Sequence, residues 1–363
     1  MTHYLIVLGT RPEIIKLAPV VSELRKRRSS SVKVLFTGQH PDLGTHFLRE
    51  FDIEPDVILE PGSAQGPRLP HILTLTISEI TRILSSDKPD AIIVQGDTIS
   101  ALSGAIAGFL NRTPVMHVEA GLRTSDVNNP FPEEWNRRLI DQSSSLFFAP
   151  TPSAKTALER EGHDANLVSV TGNTGIDAVR FVLESEFGQE EPPLDIGGEL
   201  GDYILLTLHR GELWDKTESV QEALLPVIEA FRDYRFIAID HPNGYLRRSF
   251  RGINAPNLTV IPPQPFRDFI SLLAKCALII SDSGGIQEEA TYLCVPLLIL
   301  RENTERSEAL VSPNSRIRWL TDDLIDTVRE LVGSNRQEGI RTRFAFGDGY
   351  AALQIVDILD SYL

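Results

Sequence analysis

Short, fully apolar runs alternate with amphipathic stretches along nearly the whole chain, and this alternation limits the possible folds more than any other feature. The apolar runs predict buried strands at YLIVL (4–8), VKVLF (32–36), AIIVQ (91–95), VMHV (115–118), LFFAP (146–150), YILLTL (203–208), FIAID (236–240), LTVI (258–261), ALIIS (277–281) and PLLIL (296–300). Helical stretches lie between them, for example at 13–27 and 72–86. Fully apolar strands separated by amphipathic helices indicate a parallel sheet that is covered on both faces.

The pattern is interrupted between residues 172 and 202, where an acidic stretch rich in Gly and Pro has the composition of a linker or surface loop. At 363 residues the chain is long enough for two domains. We therefore predict an α/β protein with two Rossmann-like, doubly wound domains that face each other across a cleft. One domain is predicted at 1–172 plus a C-terminal helix at 350–363, and the other at 173–349.

Composition and charge exclude several classes of partner. The formal net charge is −15, which argues against a nucleic-acid groove or an anionic membrane surface, because both require a basic patch. No sequence segment approaches the ~20 apolar residues that span a bilayer, and the N-terminus does not read as a signal peptide. Both cysteines lie in apolar runs, so we expect a reducing, cytoplasmic location. Neither H-E-x-x-H nor C-x-x-C occurs, and no metal is predicted.

The segment GTRPEIIK (9–16) follows the first predicted strand directly. Its glycine permits a tight turn, and its proline stands where the first turn of a helix tolerates one. Arg11 and Lys16 then lie near a helix N-terminus, which favours anion binding. The alternative is an ordinary strand-to-helix turn with surface cations. No G-x-G-x-x-G fingerprint of a dinucleotide site is present.

The segment SDSGGIQEEA (281–290) is the best candidate for a phosphate site. Ser283, Gly284 and Gly285 offer backbone N–H groups at the start of a predicted helix, where a diphosphate can approach the main chain. Either following glutamate, at 288 or 289, can bind a ribose diol. The alternative is a capped helix, with the serine or the aspartate before it as the N-cap.

Carboxylates, arginines and a histidine are concentrated in HVEAGLRT (117–124) and NNPFPEEWNRR (128–138). Gly, Pro and aromatic residues are interleaved with these charges, which is typical of a shaped loop rather than a solvated face. Carboxylates such as Glu119 and Glu133 beside arginines suit proton transfer next to a bound anion.

Two further polar residues follow strands directly. Asp97 ends the strand AIIVQ, and His209 with Arg210 follows YILLTL. Each alone is also typical of a helix cap or a satisfied core residue. Because ligands of doubly wound folds bind at the carboxyl ends of the strands, we expect them in one cleft with the two glutamates.

Ten motifs occur in the order typical of one family. They are GTRPEIIK, TGQH (37–40), QGDT, HVEAGLRT, PEEWNRR, TGNTGIDA, HRGE, SDSGGIQEEA, TERSEA (304–309) and GDG (347–349). Over nearly its whole length the chain resembles the non-hydrolysing bacterial type of UDP-N-acetylglucosamine 2-epimerase. The resemblance implies the glycosyltransferase-B-like fold, a UDP-binding C-terminal domain, no cofactor and no metal, a UDP-sugar substrate and a homodimer. It also implies a role in polysaccharide biosynthesis.

The resemblance also implies the chemistry. UDP-GlcNAc would be converted to UDP-ManNAc by eliminating UDP to a 2-acetamidoglucal and then adding UDP back. The acid–base carboxylates would be Asp97, Glu119 and Glu133. The catalytic set would also include His209, which would hold the diphosphate. The implied substrate-binding residues are Arg11, Lys16, Arg137, Phe269 (on uracil), Ser283, Gly284, Gly285, Glu289 (on ribose) and Arg306.

Three departures from the family pattern concern a second, activating UDP-GlcNAc site of bacterial members. The family's HRREN reads HRGEL here, so Gly211 and Leu213 replace an arginine and an asparagine. The family's TGQHR reads TGQH followed by Pro41 and then Asp42. The proline of the family's TERPEA is replaced by Ser307. The possible allosteric residues Gln39, His40 and His241 remain. We therefore predict weak or absent activation by a second substrate molecule.

Four alternatives stay open. The enzyme could hydrolyse the glucal and release free ManNAc and UDP, or it could act on another UDP-sugar such as a 2,3-diacetamido uronate. A retaining glycosyltransferase would leave Glu119 and Glu133 without a clear role. A non-catalytic UDP-sugar-binding protein would be expected to have lost some of the acid–base residues.

Overall fold

The computed structural model describes residues 1–39, 47–60, 68–124, 126–128, 130–184, 203–209, 213, 216–241 and 243–363. The chain divides into two compact units. Unit 1 comprises Met1–Arg180 together with Gly347–Leu363, and unit 2 comprises Phe181–Phe346. The first boundary between the two units, after Arg180, falls inside one continuous helix, Thr174–Glu184.

Unit 1 contains a seven-stranded parallel sheet. Its strands are β1 (Thr2–Leu8), β2 (Ser30–Phe36), β3 (Val57–Ile58), β4 (Ala91–Gln95), β5 (Val115–Val118), β6 (Leu146–Ala149) and β7 (Val168–Val170). They lie in the order β3-β2-β1-β4-β5-β6-β7, and every pair is parallel.

Unit 2 contains a six-stranded parallel sheet. Its strands are β8 (Tyr203–Thr207), β9 (Arg235–Ile239), β10 (Leu258–Ile261), β11 (Leu278–Ser281), β12 (Leu297–Leu300) and β13 (Ser315–Arg318). They lie in the order β10-β9-β8-β11-β12-β13, again all parallel. The predicted α/β class with two parallel sheets is confirmed.

Most of the helices lie between successive strands, and the last two follow β13. The helices are α1 (Arg11–Lys26), α2 (Arg68–Ser86), α3 (Ile99–Leu110), α4 (Glu133–Ser143), α5 (Pro152–Arg160), α6 (Thr174–Glu184), α7 (Thr217–Ala230), α8 (Tyr245–Ser249), α9 (Phe266–Lys275), α10 (Gly284–Leu293), α11 (Leu324–Val332) and α12 (Ala351–Tyr362), with 3₁₀ turns at Ala165–Leu167, Ser307–Val311 and Arg336–Thr342. Within the described ranges, no helix combines the length and the apolar character that a membrane crossing requires.

Each sheet reverses its strand order beside its first strand, between β1 and β4 in unit 1 and between β8 and β11 in unit 2. Such a switch point opens a crevice at the carboxyl ends of the two strands, and ligands of doubly wound folds bind there. The turns that follow these four strands carry GTRPE, QGDT, the histidine of HRGE and SDSGG. Four of the sequence motifs therefore lie at switch points.

The C-terminal helix α12 is attached to unit 1 by polar contacts at its start. The carboxylate of Asp177 accepts hydrogen bonds from the backbone N–H groups of Ala351 (3.1 Å) and Ala352 (2.8 Å). The guanidinium of Arg180 donates to the carbonyl of Gly349 (2.8 Å) and stacks over the ring of Tyr350 at 4.1 Å. The two hydrogen bonds to Asp177 satisfy N–H groups that a helix start leaves without partners in the helix.

Candidate active site

In unit 1, the buried carboxylate of Glu13 joins the two turns of the switch point. Its Oε2 accepts hydrogen bonds from the N–H groups of Gly9 (3.0 Å) and Thr10 (2.8 Å), and its Oε1 accepts one from the hydroxyl of Thr98 (2.6 Å). Burial raises the pKa of Glu13 to about 7, although these hydrogen bonds oppose the shift. The β1–α1 turn and the β4–α3 turn are thereby fixed to each other.

Asp97 lies in the β4–α3 turn and is held by α4. Both Nε (2.8 Å) and Nη2 (2.7 Å) of Arg137 contact its Oδ2, and the amide of Asn136 donates to its backbone carbonyl (2.7 Å). About a quarter of the Asp97 side chain is exposed, whereas the arginine is nearly buried. The structure therefore provides a partly accessible carboxylate with a fixed cation beside it.

Glu119 follows β5 with a φ of +66°, a left-handed conformation that is uncommon for a residue with a side chain. Lys16 forms a nearly buried ion pair with its Oε2 (2.5 Å), and the amide of Gln95 donates to the same oxygen. A charge-assisted pair of this kind favours the ionised carboxylate. Backbone strain at such a position is often associated with function.

The neighbouring glutamates at the start of α4 have different surroundings. Glu134 is fully buried and accepts hydrogen bonds from the backbone of Thr124 (3.0 Å) and from Arg137 (3.1 Å) and Arg138 (2.9 Å). Glu134 therefore fixes the HVEAGLRT loop on the helix, whereas Glu133 is partly open to solvent.

In unit 2, His209 lies at the end of β8. Its backbone N–H donates to Oδ1 of Asp282 (2.8 Å), its Nε2 contacts the hydroxyl of Thr207, and its ring meets that of His241 edge-on at 5.8 Å between centroids. Asp282 follows β11, so this hydrogen bond joins the two turns of the second switch point.

The second switch point also brings Arg306 against the start of α10. The N-cap residue Ser283 makes no side-chain capping hydrogen bond. A Cβ atom added at Gly284 would lie 2.5 Å from Nη1 of Arg306, so only a glycine allows this approach. Nε of Arg306 pairs with the buried carboxylate of Glu288 (2.6 Å), and Nη1 contacts Glu305. A cation and a helix N-terminus together favour an anion.

The remaining predicted residues lie in several settings. Arg11 stacks over the ring of Phe47 at 4.6 Å. Phe269 lies on α9 and is 7% exposed, while Glu289 lies on α10 and is partly buried. The amide oxygen of Gln39 accepts a hydrogen bond from Ser100 (2.9 Å) inside unit 1.

Some predicted residues fall outside the described part of the chain. They are His40, Arg210 and the family departures at positions 41, 42 and 211. Leu213 is described and is buried in the core of unit 2. Among the described residues, no group of three or more His, Cys, Asp or Glu side chains could hold a metal ion.

Unit 1 thus brings together Asp97, Glu119, Lys16 and Arg137, and unit 2 brings together His209, Ser283, Gly284 and Arg306. The sequence did not predict which residues hold these groups. They are Glu13, Gln95, Thr98, Asn136, Glu134, Asp282 and Glu288, of which Asp282 was considered only as a helix cap and Glu288 only as a ribose ligand. All seven stand within four residues of a predicted site residue, which is the signal that could have identified them.

The two switch points define a class of protein. One carries two carboxylates with fixed cations, and the other carries a glycine turn with a held arginine. The class is that of doubly wound α/β enzymes that are equipped for proton transfer and for binding an anionic ligand.

Comparisons with known proteins identify the family. The model of the family described as UDP-N-acetylglucosamine 2-epimerase matches residues 22–360. A UDP-N-acetylglucosamine 2-epimerase of Yersinia pestis is 36% identical over 378 residues, covering 99% of this chain and 98% of the relative. The chain therefore belongs to the UDP-N-acetylglucosamine 2-epimerase family, and it is an isomerase.

Solved structures agree with this assignment. The crystal structure of UDP-GlcNAc 2-epimerase from Neisseria meningitidis, bound to UDP-GlcNAc, matches with a TM-score of 0.89 at 34% identity and covers 99% of this chain and 100% of that chain. A structure of the glycotransferase of kitacinnamycin matches at 10% identity with a TM-score of 0.63, which reports the fold alone. The glycosyltransferase-B-like fold and the resemblance to the UDP-N-acetylglucosamine 2-epimerase family are both confirmed, and the non-hydrolysing type stays a prediction.

Proposed function

We propose that this protein epimerises UDP-N-acetylglucosamine at C2 to UDP-N-acetylmannosamine without releasing free sugar. Family membership supports 2-epimerase activity, and the Neisseria relative was solved with UDP-GlcNAc bound. The observation in this chain that carries the proposal is the pair of carboxylates, Asp97 and Glu119, each held by a cation at the first switch point.

The proposed reaction begins with an elimination. The hydrogen on C2 is hardly acidic, so simple deprotonation is costly, but in the α-gluco sugar it is trans-diaxial to the leaving UDP. A carboxylate takes the C2 proton, the C–H electron pair forms the C1=C2 bond of a 2-acetamidoglucal, and the C1–O electron pair leaves with UDP. Return of a proton to the opposite face of C2 and re-addition of UDP at C1 give the manno sugar.

The unit 1 carboxylates suit the proton transfers. Lys16 and Gln95 both donate to one oxygen of Glu119, which orients that group, and Arg137 orients Asp97 in the same way. In this proposal, Asp97, Glu119 and Glu133 together remove the proton from one face of C2 and return a proton to the other face. None of the three is singled out as the base.

The unit 2 turns suit the departing diphosphate. Charge develops on the UDP oxygens as the C1–O bond breaks, and a guanidinium with the N–H groups of a helix start stabilises that charge. Arg306 is fixed in place by its pair with Glu288, so it needs little reorganisation during the reaction. We assign His209, Ser283, Gly284 and Gly285 to the same diphosphate, with Phe269 on uracil and Glu289 on ribose.

The test is product analysis by anion-exchange chromatography of UDP-GlcNAc incubated with the purified protein. We expect UDP-ManNAc with the total of UDP-sugars conserved, and free ManNAc with UDP would replace the proposal by a hydrolysing epimerase. Glu119→Gln and Asp97→Asn should abolish turnover while UDP still binds, and Glu159→Gln, a surface carboxylate paired with a lysine at 3.8 Å, should behave as the unmodified protein. If both site variants lose UDP binding instead, these carboxylates support the ligand rather than the chemistry.

A further inference from the structure

His117 lies in the middle of β5 with its ring fully buried, and both of its ring nitrogens face oxygen atoms. Nε2 lies 2.8 Å from the backbone carbonyl of Gly96, and Nδ1 lies 2.6 Å from Oδ1 of Asp141. A carbonyl oxygen only accepts hydrogen bonds, so Nε2 carries a proton. The ring is therefore held at Nε2 by the turn that precedes Asp97, and it faces Asp141 at Nδ1.

The surroundings of Asp141 keep it ionised. Its second oxygen, Oδ2, accepts a hydrogen bond from Nη2 of Arg123 (2.6 Å). Burial opposes ionisation, but the facing His117 and Arg123 hold the pKa of Asp141 below its ordinary value. Arg123 also pairs with Glu161 (2.6 Å), so one guanidinium connects two carboxylates. Asp141 is thereby held at both of its oxygens, by Arg123 on one side and against Nδ1 of the histidine on the other.

The contacts of this ring reach every segment of unit 1 that carries a candidate acid–base carboxylate. Gly96, whose carbonyl accepts from the ring, immediately precedes Asp97, and its N–H donates to the carbonyl of Val118 (3.0 Å). Both polar backbone groups of this left-handed glycine are thus held from β5. His117 itself stands two residues before Glu119.

The third segment is reached through Asp141, which lies in the last part of α4. The same helix begins at Glu133. One buried ring therefore links the turn of Asp97, the strand that leads to Glu119 and the helix that starts with Glu133.

We propose that His117 is a positioning residue, a buried ring that fixes the relative placement of Asp97, Glu119 and Glu133 through Gly96 and Asp141. The role as a positioning residue rests on the proposed acid–base function of those carboxylates. A displacement of reacting groups by about 1 Å can cost about 100-fold in rate, so a residue that never touches the substrate can control turnover.

The first test compares two variants that differ in what they leave of this linkage. His117→Ala removes both donors, and we expect kcat to fall about 100-fold while KM and the affinity for UDP change less than about threefold. In Asp141→Asn, the amide N–H can donate to Nδ1 of a neutral histidine while the amide oxygen still accepts from Arg123. The bond from Nε2 to Gly96 then survives, and we expect kcat within about tenfold of the unmodified protein.

A core variant separates positioning from simple loss of stability. Leu84→Ala opens a cavity in the core of unit 1 on α2, and it should lower the melting temperature while leaving kcat unchanged. A His117→Ala variant whose kcat falls no further than that of Leu84→Ala overturns the proposal. His117→Gln keeps one donor, and its kcat should lie between those of the unmodified protein and His117→Ala.

The second test does not depend on catalysis. In protein labelled with ¹⁵N-histidine, the Nε2–H of His117 should give a signal that exchanges slowly with water, because the ring is buried and this N–H is bonded to the carbonyl of Gly96. His117→Gln identifies this signal among those of the eight histidines. The absence of a protected Nε2–H signal overturns the bond to Gly96 on which the positioning role depends. If the unmodified protein does not convert UDP-GlcNAc, the proposed function fails, and this measurement still decides the contacts of His117.

Discussion

Glu13 makes the stability of unit 1 depend on pH in a way that can be calculated from its surroundings. Burial raises its pKa from 4.5 to about 7 in the folded protein, whereas the unfolded chain releases the same proton near 4.5. Over that window the folded state binds more protons, so the free energy of unfolding falls as the pH rises, and the loss is complete above about pH 7. At about 1.4 kcal/mol for each pKa unit, this group alone removes about 2 to 3 kcal/mol between pH 5 and pH 8.

Glu13→Gln should abolish this dependence with little change in structure. The amide oxygen can accept from the N–H groups of Gly9 and Thr10, and the amide N–H can donate to the hydroxyl of Thr98, which replaces the present bonds one for one. Relative to the unmodified protein, the variant should gain about 2 to 3 kcal/mol of stability on going from pH 5 to pH 8.

The assay is urea unfolding at both pH values, followed by the fluorescence of Trp135 alone in a background with phenylalanine at the other two tryptophans, at 214 and 319. Trp135 lies in unit 1, so the signal reports the unit that contains Glu13. If the stabilities of the variant and the unmodified protein change in parallel between pH 5 and pH 8, Glu13 does not carry the raised pKa and the reasoning is refuted.

Three further predictions follow from single contacts. Gly284→Ala should displace the guanidinium of Arg306 by about 1 Å and weaken UDP binding about tenfold by calorimetry, and an unchanged affinity would contradict the role given to that contact. Lys16→Met should remove the cation beside Glu119 and move the acidic limb of the kcat/KM profile up by about one pH unit or more, whereas an unshifted limb would show that Glu119 does not titrate in that limb. Asp177→Ala should free the start of α12 and speed C-terminal proteolysis at pH 7, which a cleavage rate equal to that of the unmodified protein would refute.

Most of the strands that the sequence predicted are covered on both faces. AIIVQ is buried along its whole length, and VMHV is also fully buried, although His117 interrupts its apolar run. LTVI was predicted as well, although it lies at an outer position of its sheet. The three strands that it missed, β3, β7 and β13, all lie at an outer position of a sheet. Val57–Ile58 is only two residues long, and Ser315–Arg318 contains a single apolar residue, because an outer strand buries less surface and needs no continuous apolar run.

The site could be predicted from the sequence as far as its motifs extend. The ends of β4 and β8 were correctly expected to carry Asp97 and His209, because strand ends follow from the apolar pattern. The pairing of Lys16 with Glu119 and of Arg137 with Asp97 depends on the register of a sheet and on how a helix packs across it, which local patterns do not contain. The homodimer and the cytoplasmic location stay predictions.

The proposed positioning role of His117 was not predicted from the sequence, because its contacts join residues that are far apart in the chain. His117 meets a carbonyl 21 residues earlier and a carboxylate 24 residues later. In the sequence it is one histidine inside an apolar strand, which is also typical of a satisfied core residue. Only the parallel pairing of β4 with β5 brings its ring to the turn of Asp97.

The most direct measurement is proton NMR of the purified protein with UDP-GlcNAc in deuterium oxide. The proposed mechanism exchanges the C2 proton with a carboxylate that equilibrates with solvent, so UDP-ManNAc should appear with deuterium at C2 and with its UDP still attached. UDP-ManNAc that retains hydrogen at C2, or a UDP-GlcNAc spectrum that stays unchanged, would contradict deprotonation at C2 by the carboxylates of unit 1.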